Sequence, residues 1–211
     1  MYRKYGPQGW WPGEGPFEVI VGAILTQAAA WSNVEMALGN LKKVGCWSLA
    51  AIQVLPETEL AALIRPSGYF NVKARKLKAF ANHVGQYYGG DLDRLLEKDT
   101  AELREELLSI YGVGPETADD ILVYAAGRPC FVIDSYTRRI LGRVGLTPLE
   151  WSDRYRLYQQ WFHDRLPPDP QLFNEFHALL DRHAKEACQK VSRCSDCCLR
   201  EVCEYGQETR S

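Results

Sequence analysis

Apolar positions recur every three to four residues through most of this chain, the spacing of helices that bury one face. From 17 to about 43, Ile20, Ile24, Gln27, Trp31 and Val34 follow that spacing, with Asn33 a candidate cap for a second helix inside the run. Pro56-Glu57-Thr58-Glu59 opens a short helix, and Pro66-Ser67-Gly68-Tyr69 makes a turn. Residues 72–88 read as a basic amphipathic helix that Gly89-Gly90-Asp91 breaks. Asp99-Thr100 caps a helix over 101–110. Further helices are expected at 151–165 and, after the breaker Leu166-Pro167-Pro168-Asp169-Pro170, up to about 188. Residues 1–16 are rich in Gly, Pro and aromatics, and Pro7, Pro12 and Pro16 forbid a long helix there. Only Cys130 to Ile133 looks strand-like, too short to found a sheet, so the expected class is all-α.

Composition narrows the picture. The 211 residues suffice for one large domain or two small lobes with a real core. No apolar run reaches about 18 residues, so no membrane span is expected. The opening Met1-Tyr2-Arg3-Lys4 leads into Tyr, Gly and Pro rather than an apolar core, and the expected location is cytoplasmic. A net charge of −2 argues mildly against nucleic acid. Two local clusters, Lys73/Arg75/Lys76/Lys78 and Arg138/Arg139/Arg143, could still meet phosphate or be solvated helix faces.

Of seven cysteines, five fall between 188 and 203. Without a secretion signal such crowding reads as metal rather than disulfides. Cys188-x5-Cys194-x2-Cys197-x5-Cys203 offers four thiolates, which suit a [4Fe–4S] cluster or a structural zinc. Adjacent Cys198 reads as a free thiol or packing residue; Cys46 and Cys130 read as core. His177 and His183 do not share a helical face, and neither is read as a ligand.

The most specific stretch is 107–139: helix, glycine hairpin, helix, short extended crossover, then Asp134 opening another helix. Gly112-Val113-Gly114 leaves no room for side chains at either glycine, so backbone can approach a ligand closely. The following helix starts near Pro115, with its N–H groups and positive dipole end at the hairpin, where a phosphate fits. Alone, this is also how a plain helix–turn–helix corner reads, with Asp134 an ordinary cap. The complete stretch resembles the helix-hairpin-helix and Gly/Pro-rich loop plus aspartate signature of the endonuclease III superfamily of DNA glycosylases. That resemblance implies hairpin amides of Gly112, Val113 and Gly114 on a DNA phosphate, often with a monovalent cation, and Asp134 working at the sugar. Bifunctional members carry a nucleophilic lysine where this chain has Glu116. The family also carries a C-terminal four-cysteine [4Fe–4S] loop at almost this spacing, which points to the cluster, held by Cys188, Cys194, Cys197 and Cys203.

The combination of Trp10-Trp11-Pro12, Gln27 and Trp31, the run from Arg65 to Leu77, Glu116, and Phe176 to Lys185 is similar to the 3-methyladenine DNA glycosylase III branch. The resemblance implies a base pocket of Trp10, Trp11, Pro12, Trp31 and Glu116, and catalytic Asp134 with Lys185, a lysine that can be carbamylated. It makes Gln27 the residue filling the gap left by a flipped nucleotide. Lys73 and Arg138 join the expected DNA contacts. Aromatic faces suit a cationic alkylated purine. That branch lacks the cysteine loop, a departure bearing on substrate identity.

The expected architecture is then a two-lobed helix-hairpin-helix glycosylase fold. A six-helix lobe spans 18–130 with the hairpin at about 105–125. A second lobe combines 1–17 with 131–211, including the iron–sulfur loop 188–203. The expected function is a monomeric, monofunctional glycosylase acting on double-stranded DNA. The alternatives are an endonuclease III-like glycosylase/lyase for oxidised or deaminated bases, and a non-catalytic iron–sulfur DNA-binding protein.

Overall fold

The computed structural model describes residues 1–11, 13–146 and 155–209, and all regular structure among them is helical. In chain order the helices are α1 (Tyr2–Tyr5), α2 (Pro16–Leu25), α3 (Trp31–Lys43), α4 (Leu49–Val54), α5 (Glu57–Leu63), α6 (Phe70–Tyr88), α7 (Leu92–Leu96), α8 (Thr100–Ser109), α9 (Pro115–Asp120), α10 (Ser135–Val144), α11 (Tyr155–His163), α12 (Pro170–Glu186) and α13 (Glu204–Glu208). A π-helical turn, Ile121–Ala125, continues α9. No described helix is long and apolar enough to cross a membrane. The chain divides into two compact units, a central one, Pro12–Arg128, and a terminal one made of Met1–Trp11 and Pro129–Ser211.

The central unit is organised around α2. Val19, Ile20, Val21, Ala23, Ile24 and Leu25 are all buried, and α2 packs on α3, α6, α9 and the π-helical turn. Each buried Val, Ile or Leu side chain there stabilises the unit by roughly 1.5–3 kcal/mol. The expected run of 17–43 is broken: α2 ends at Leu25, and α3 begins at Trp31 after Ala30, so Asn33 lies inside a helix rather than capping one. Asp99 does cap α8, accepting from the N–H groups of Ala101 and Glu102, both at 3.1 Å. Glu106 of α8 ties this end of the unit to α6. Its carboxylate meets His83 Nε2 at 2.7 Å, Tyr88 Oη at 2.7 Å and Lys98 Nζ at 2.5 Å.

Lys73 requires a correction. Rather than facing phosphate, it is 2% exposed, and its ammonium donates to the carbonyls of Leu25 at 2.8 Å and Ser67 at 2.6 Å. It is a tie between the end of α2 and the turn before α6. Burial, with Lys76 nearby, lowers its pKa to about 8. Lys78 also turns inward, donating to the carbonyl of Gln53 at 2.8 Å.

The terminal unit packs α10 against α12 and α13. Its centre is aromatic: Phe131 stacks on Phe162 with ring centroids 3.6 Å apart, and Phe173 and Phe176 meet Phe131 edge-on. The strand-like stretch before Asp134 forms no strand among the described residues. Side chains of α11 serve its backbone instead. Phe131 N–H donates to His163 Nε2 at 3.0 Å, Ile133 N–H donates to Tyr155 Oη at 3.2 Å, and Gln159 donates to Phe131 O at 2.9 Å.

Candidate active site

In the terminal unit, Asp134 is the N-cap of α10, with extended backbone at φ −94 and ψ −178. Its Oδ1 accepts from Thr137 N–H at 2.7 Å. Its Oδ2 lies 3.8 Å from Nε2 of His177, and the aspartate side chain keeps 17% of its surface. Burial alone would raise its pKa. The neighbouring His177 and the Thr137 cap outweigh that and hold it at about 2. Asp134 is therefore an anion at neutral pH, with one oxygen held by the cap and the other turned to an imidazole. Arg138, one turn along α10, is half-buried.

Trp10 and Trp11 are half-buried and meet edge-on, centroids 5.7 Å apart at 80°. The segment leading to them is fixed by Gln8 N–H donating to Glu175 Oε1 of α12 at 2.9 Å. Lys185, also on α12, places its ammonium 5.8 Å from the Trp10 ring centroid and 2.7 Å from Asp181 Oδ2. Trp10 and Lys185 are thus neighbours, whereas Pro12 lies outside the described residues.

The hairpin belongs to the central unit. Gly112 has φ +86, and a Cβ there would come within 2.2 Å of Lys76 Cγ. Gly114 differs: it is the N-cap of α9 with φ −94, and nothing lies within 4 Å of where its Cβ would be. The protein itself therefore demands glycine only at 112, a correction to the expectation for both. Val113 is buried and anchors the hairpin tip. Gln27 reaches in from the loop after α2. Its Nε2 donates to Gly112 O at 3.1 Å and Thr117 Oγ1 at 2.9 Å, while Lys76 Nζ donates to its Oε1. Arg104 of α8 forks onto Asp119 of α9 at 2.7 and 3.1 Å, with Asp119 fully buried, which fixes the two helices of the hairpin. Trp31, first residue of α3, is half-buried, and Glu116 is exposed on the first turn of α9.

Cys188, Cys194, Cys197 and Cys203 line one small cavity of about 20 Å³, together with apolar Ile140, Val144 and Leu199 and with Arg143 and His183. Cys198 is exposed. Arg143 Nη1 reaches Cys188 Sγ at 3.3 Å, and the N–H groups of Leu199 and Gly206 reach the sulfurs of Cys197 and Cys203, both at 3.4 Å. Arg143 and Arg139 also bond the backbone of Gln189 and Cys188, at 2.6 and 2.9 Å, so this basic cluster braces the cysteine loop. His183 is buried beside it, 2.9 Å from Tyr5 Oη, and burial with the N-terminal and Lys4 charges lowers its pKa to about 4. No tight cluster of three or more His, Cys, Asp or Glu fit for a metal ion occurs among the described residues. Four thiols spread around an apolar space, with donors on three sulfurs, still fit the chemistry of a cluster larger than one ion.

Sequence reasoning missed the partners of His177, Lys76 and Asp181, which are Asp134, Gln27 and Lys185. Each sits on a helix at the spacing of its buried or paired face, but a lone polar residue in such a pattern does not announce its partner.

A helical chain with this hairpin, this capping aspartate and this cysteine loop has the make-up of a base excision enzyme. The family model "HhH-GPD superfamily base excision DNA repair protein" matches residues 21–166, and the chain belongs to that superfamily as a DNA glycosylase. It is 43% identical over 200 residues to a Methanocaldococcus jannaschii protein assigned as a DNA repair glycosylase, covering 94% of this chain and 90% of that one. It is 30% identical over 191 residues to endonuclease III of Sulfolobus acidocaldarius, covering 90% and 82%. Among solved structures, an H. pylori 3-methyladenine DNA glycosylase bound to 1,N6-ethenoadenine superposes with a TM-score of 0.77 at 27% identity, covering 87% and 91%. A trapped endonuclease III–DNA intermediate shares the fold, with a TM-score of 0.85 at 21% identity, covering 100% and 94%.

Proposed function

We propose that this glycosylase is monofunctional: it extrudes an alkylated, 3-methyladenine-like base from duplex DNA and hydrolyses its N-glycosidic bond. The observation that carries this reading is Asp134, a carboxylate kept ionised at the start of α10 with 17% of its side chain still accessible. An anion fixed in advance stabilises the oxocarbenium charge that develops at the sugar and can orient water towards C1′. An alkylated purine already carries positive charge, so it leaves without strong acid catalysis.

Glu116 stands where bifunctional relatives carry their lysine, and a carboxylate cannot form a Schiff base. Lys185 is paired with Asp181. A carbamate there would set an anion against that carboxylate, so the pair favours an unmodified ammonium. The damaged base would stack against Trp10 or Trp11. The backbone of Gly112, Val113 and Gly114 would hold a phosphate, with a monovalent cation at the hairpin, and Gln27 would fill the vacated gap. Arg138 adds positive charge beside Asp134. The working unit would be a monomer.

Cys188, Cys194, Cys197 and Cys203 would hold a [4Fe–4S] cluster. Bound there, it supplies a covalent cross-link that closes the C-terminal loop, and no step of base release runs through it. The ethenoadenine-bound relative supports a modified purine. The likeness to endonuclease III and, at 28% identity, to a thymine-DNA glycosylase of Aeropyrum pernix supports a second reading, an oxidised or deaminated base.

A base-release screen on alkylated, deaminated and oxidised duplexes decides between them. Release from alkylated DNA, with no covalent adduct on borohydride treatment of abasic DNA, is the expected result. Release only from oxidised or deaminated DNA, or a trapped adduct, selects the second reading. Binding without any release would make this a non-catalytic DNA-binding protein.

A further inference from the structure

The two carboxylate oxygens of Asp134 have different neighbours. Oδ1 belongs to the helix cap, bonded to Thr137 N–H at 2.7 Å. Oδ2 faces His177 Nε2 at 3.8 Å, across the packed pair α10 and α12. Other charged groups of these two helices are engaged elsewhere. Arg139 donates to Cys188 O, Arg143 to Gln189 O, Glu175 accepts from Gln8 N–H, and the pairs Asp181–Lys185 and Arg182–Glu186 satisfy one another. Arg138, on the same helix as Asp134, is the remaining charge of that element. His177 is 7% exposed, on the stripe that also buries Phe173, Leu180 and Ala184. An imidazole in an apolar stripe is costly to desolvate unless it meets a polar group.

We propose that His177 is a positioning residue for Asp134, its imidazole setting the direction of Oδ2, the oxygen that the helix cap does not hold. This rests on Asp134 being the catalytic carboxylate. A carboxylate bonded at one oxygen still turns about its Cβ–Cγ bond, and a second fixed neighbour stops that rotation. Electrostatic stabilisation depends on such preorganisation, because a charge that must reorient during the reaction gives back part of its effect. His177 acts only through Asp134.

The test compares the wild type with His177→Ala and His177→Gln, whose amide offers a donor about where Nε2 lies. Carboxyl-carbon NMR of Asp134 at pH 4 needs no substrate. The wild-type carboxylate stays ionised there, the Ala variant becomes substantially protonated, and the Gln variant lies between. No change in the Ala variant overturns the coupling. Single-turnover base release and DNA affinity are then measured on whichever duplex the wild type processes fastest. The Ala variant is expected to lose about tenfold or more in rate with affinity within about twofold, and the Gln variant to recover most of the rate. Equal loss in both variants, or a loss confined to affinity, overturns the proposal. If the wild type releases no base from any duplex, the functional reading fails, and the NMR result still decides the His177–Asp134 coupling.

Discussion

The two glycines of the hairpin look equivalent in the sequence and differ in the structure, so alanine at each should fail in different ways. At Gly112 the backbone has φ +86, and an added Cβ would lie 2.2 Å from Lys76 Cγ. Left-handed backbone costs a non-glycine residue roughly 1–2 kcal/mol. Lys76 must also move, and it cannot do so cheaply. The clash falls near the root of its side chain, and its ammonium is bonded to Gln27 Oε1. Losing that bond adds about 1 kcal/mol. Gly112→Ala should therefore cost about 2–4 kcal/mol, which for a chain of this size lowers Tm by about 2–4 °C per kcal/mol. Gly114 has φ −94 with nothing within 4 Å of the Cβ position. Gly114→Ala should cost no more than about 1 kcal/mol, the difference between glycine and alanine at an N-cap. If backbone there approaches a phosphate, the new methyl blocks it. Removing a charge-assisted bond worth about 1.5–3 kcal/mol weakens DNA binding by about 10- to 100-fold. Thermal melts and fluorescence anisotropy on duplex DNA separate the two effects. A Gly114→Ala protein that melts as low as Gly112→Ala, or that melts normally and binds DNA as the wild type does, would refute the reasoning.

Two other outcomes follow from the chemistry of single side chains. Glu106 has a folded-state pKa of about 2 against an ordinary 4.5, because its bonds to Lys98, His83 and Tyr88 outweigh burial, which acts the other way. Its contribution, about 1–3 kcal/mol after allowance for solvent, is fully present above pH 4.5 and is lost as pH falls towards 2. Glu106→Gln should flatten the dependence of Tm on pH across that window and lower Tm at pH 7; an unchanged acid limb would show that the hub is not coupled to folding. Cys197→Ser should abolish brown colour and iron, whereas Cys198→Ser should keep about four irons per chain; the reverse pattern would reassign the ligands.

Much of the fold was legible because local rules and tertiary packing agree in it. The all-α class follows from the three-to-four spacing, and Asp99 caps α8 where the pattern says it should. The misses have identifiable physics. Four basic residues at 73–78 look alike in sequence, but Lys73 shares the buried stripe of Leu77, Phe80 and Val84, which its neighbours do not. That stripe was the available signal, and basic character overrode it. The interruption between α2 and α3 carries Gln27, whose bond to Gly112 O of the hairpin is a long-range contact that no window of neighbouring residues contains. His177 was visible as a polar residue in an apolar stripe, but its partner lies 43 positions away, on another helix.

The account turns on Asp134, and Asp134→Asn tests it most directly. Asparagine caps a helix about as well as aspartate, so α10 should persist and the melt should change little. What is lost is the negative charge. Base release from alkylated duplex DNA, followed in a single turnover, should fall below detection while affinity for the same duplex stays within about twofold of the wild type. An Asn variant that still releases base at the wild-type rate would contradict the account and leave Asp134 as a helix cap.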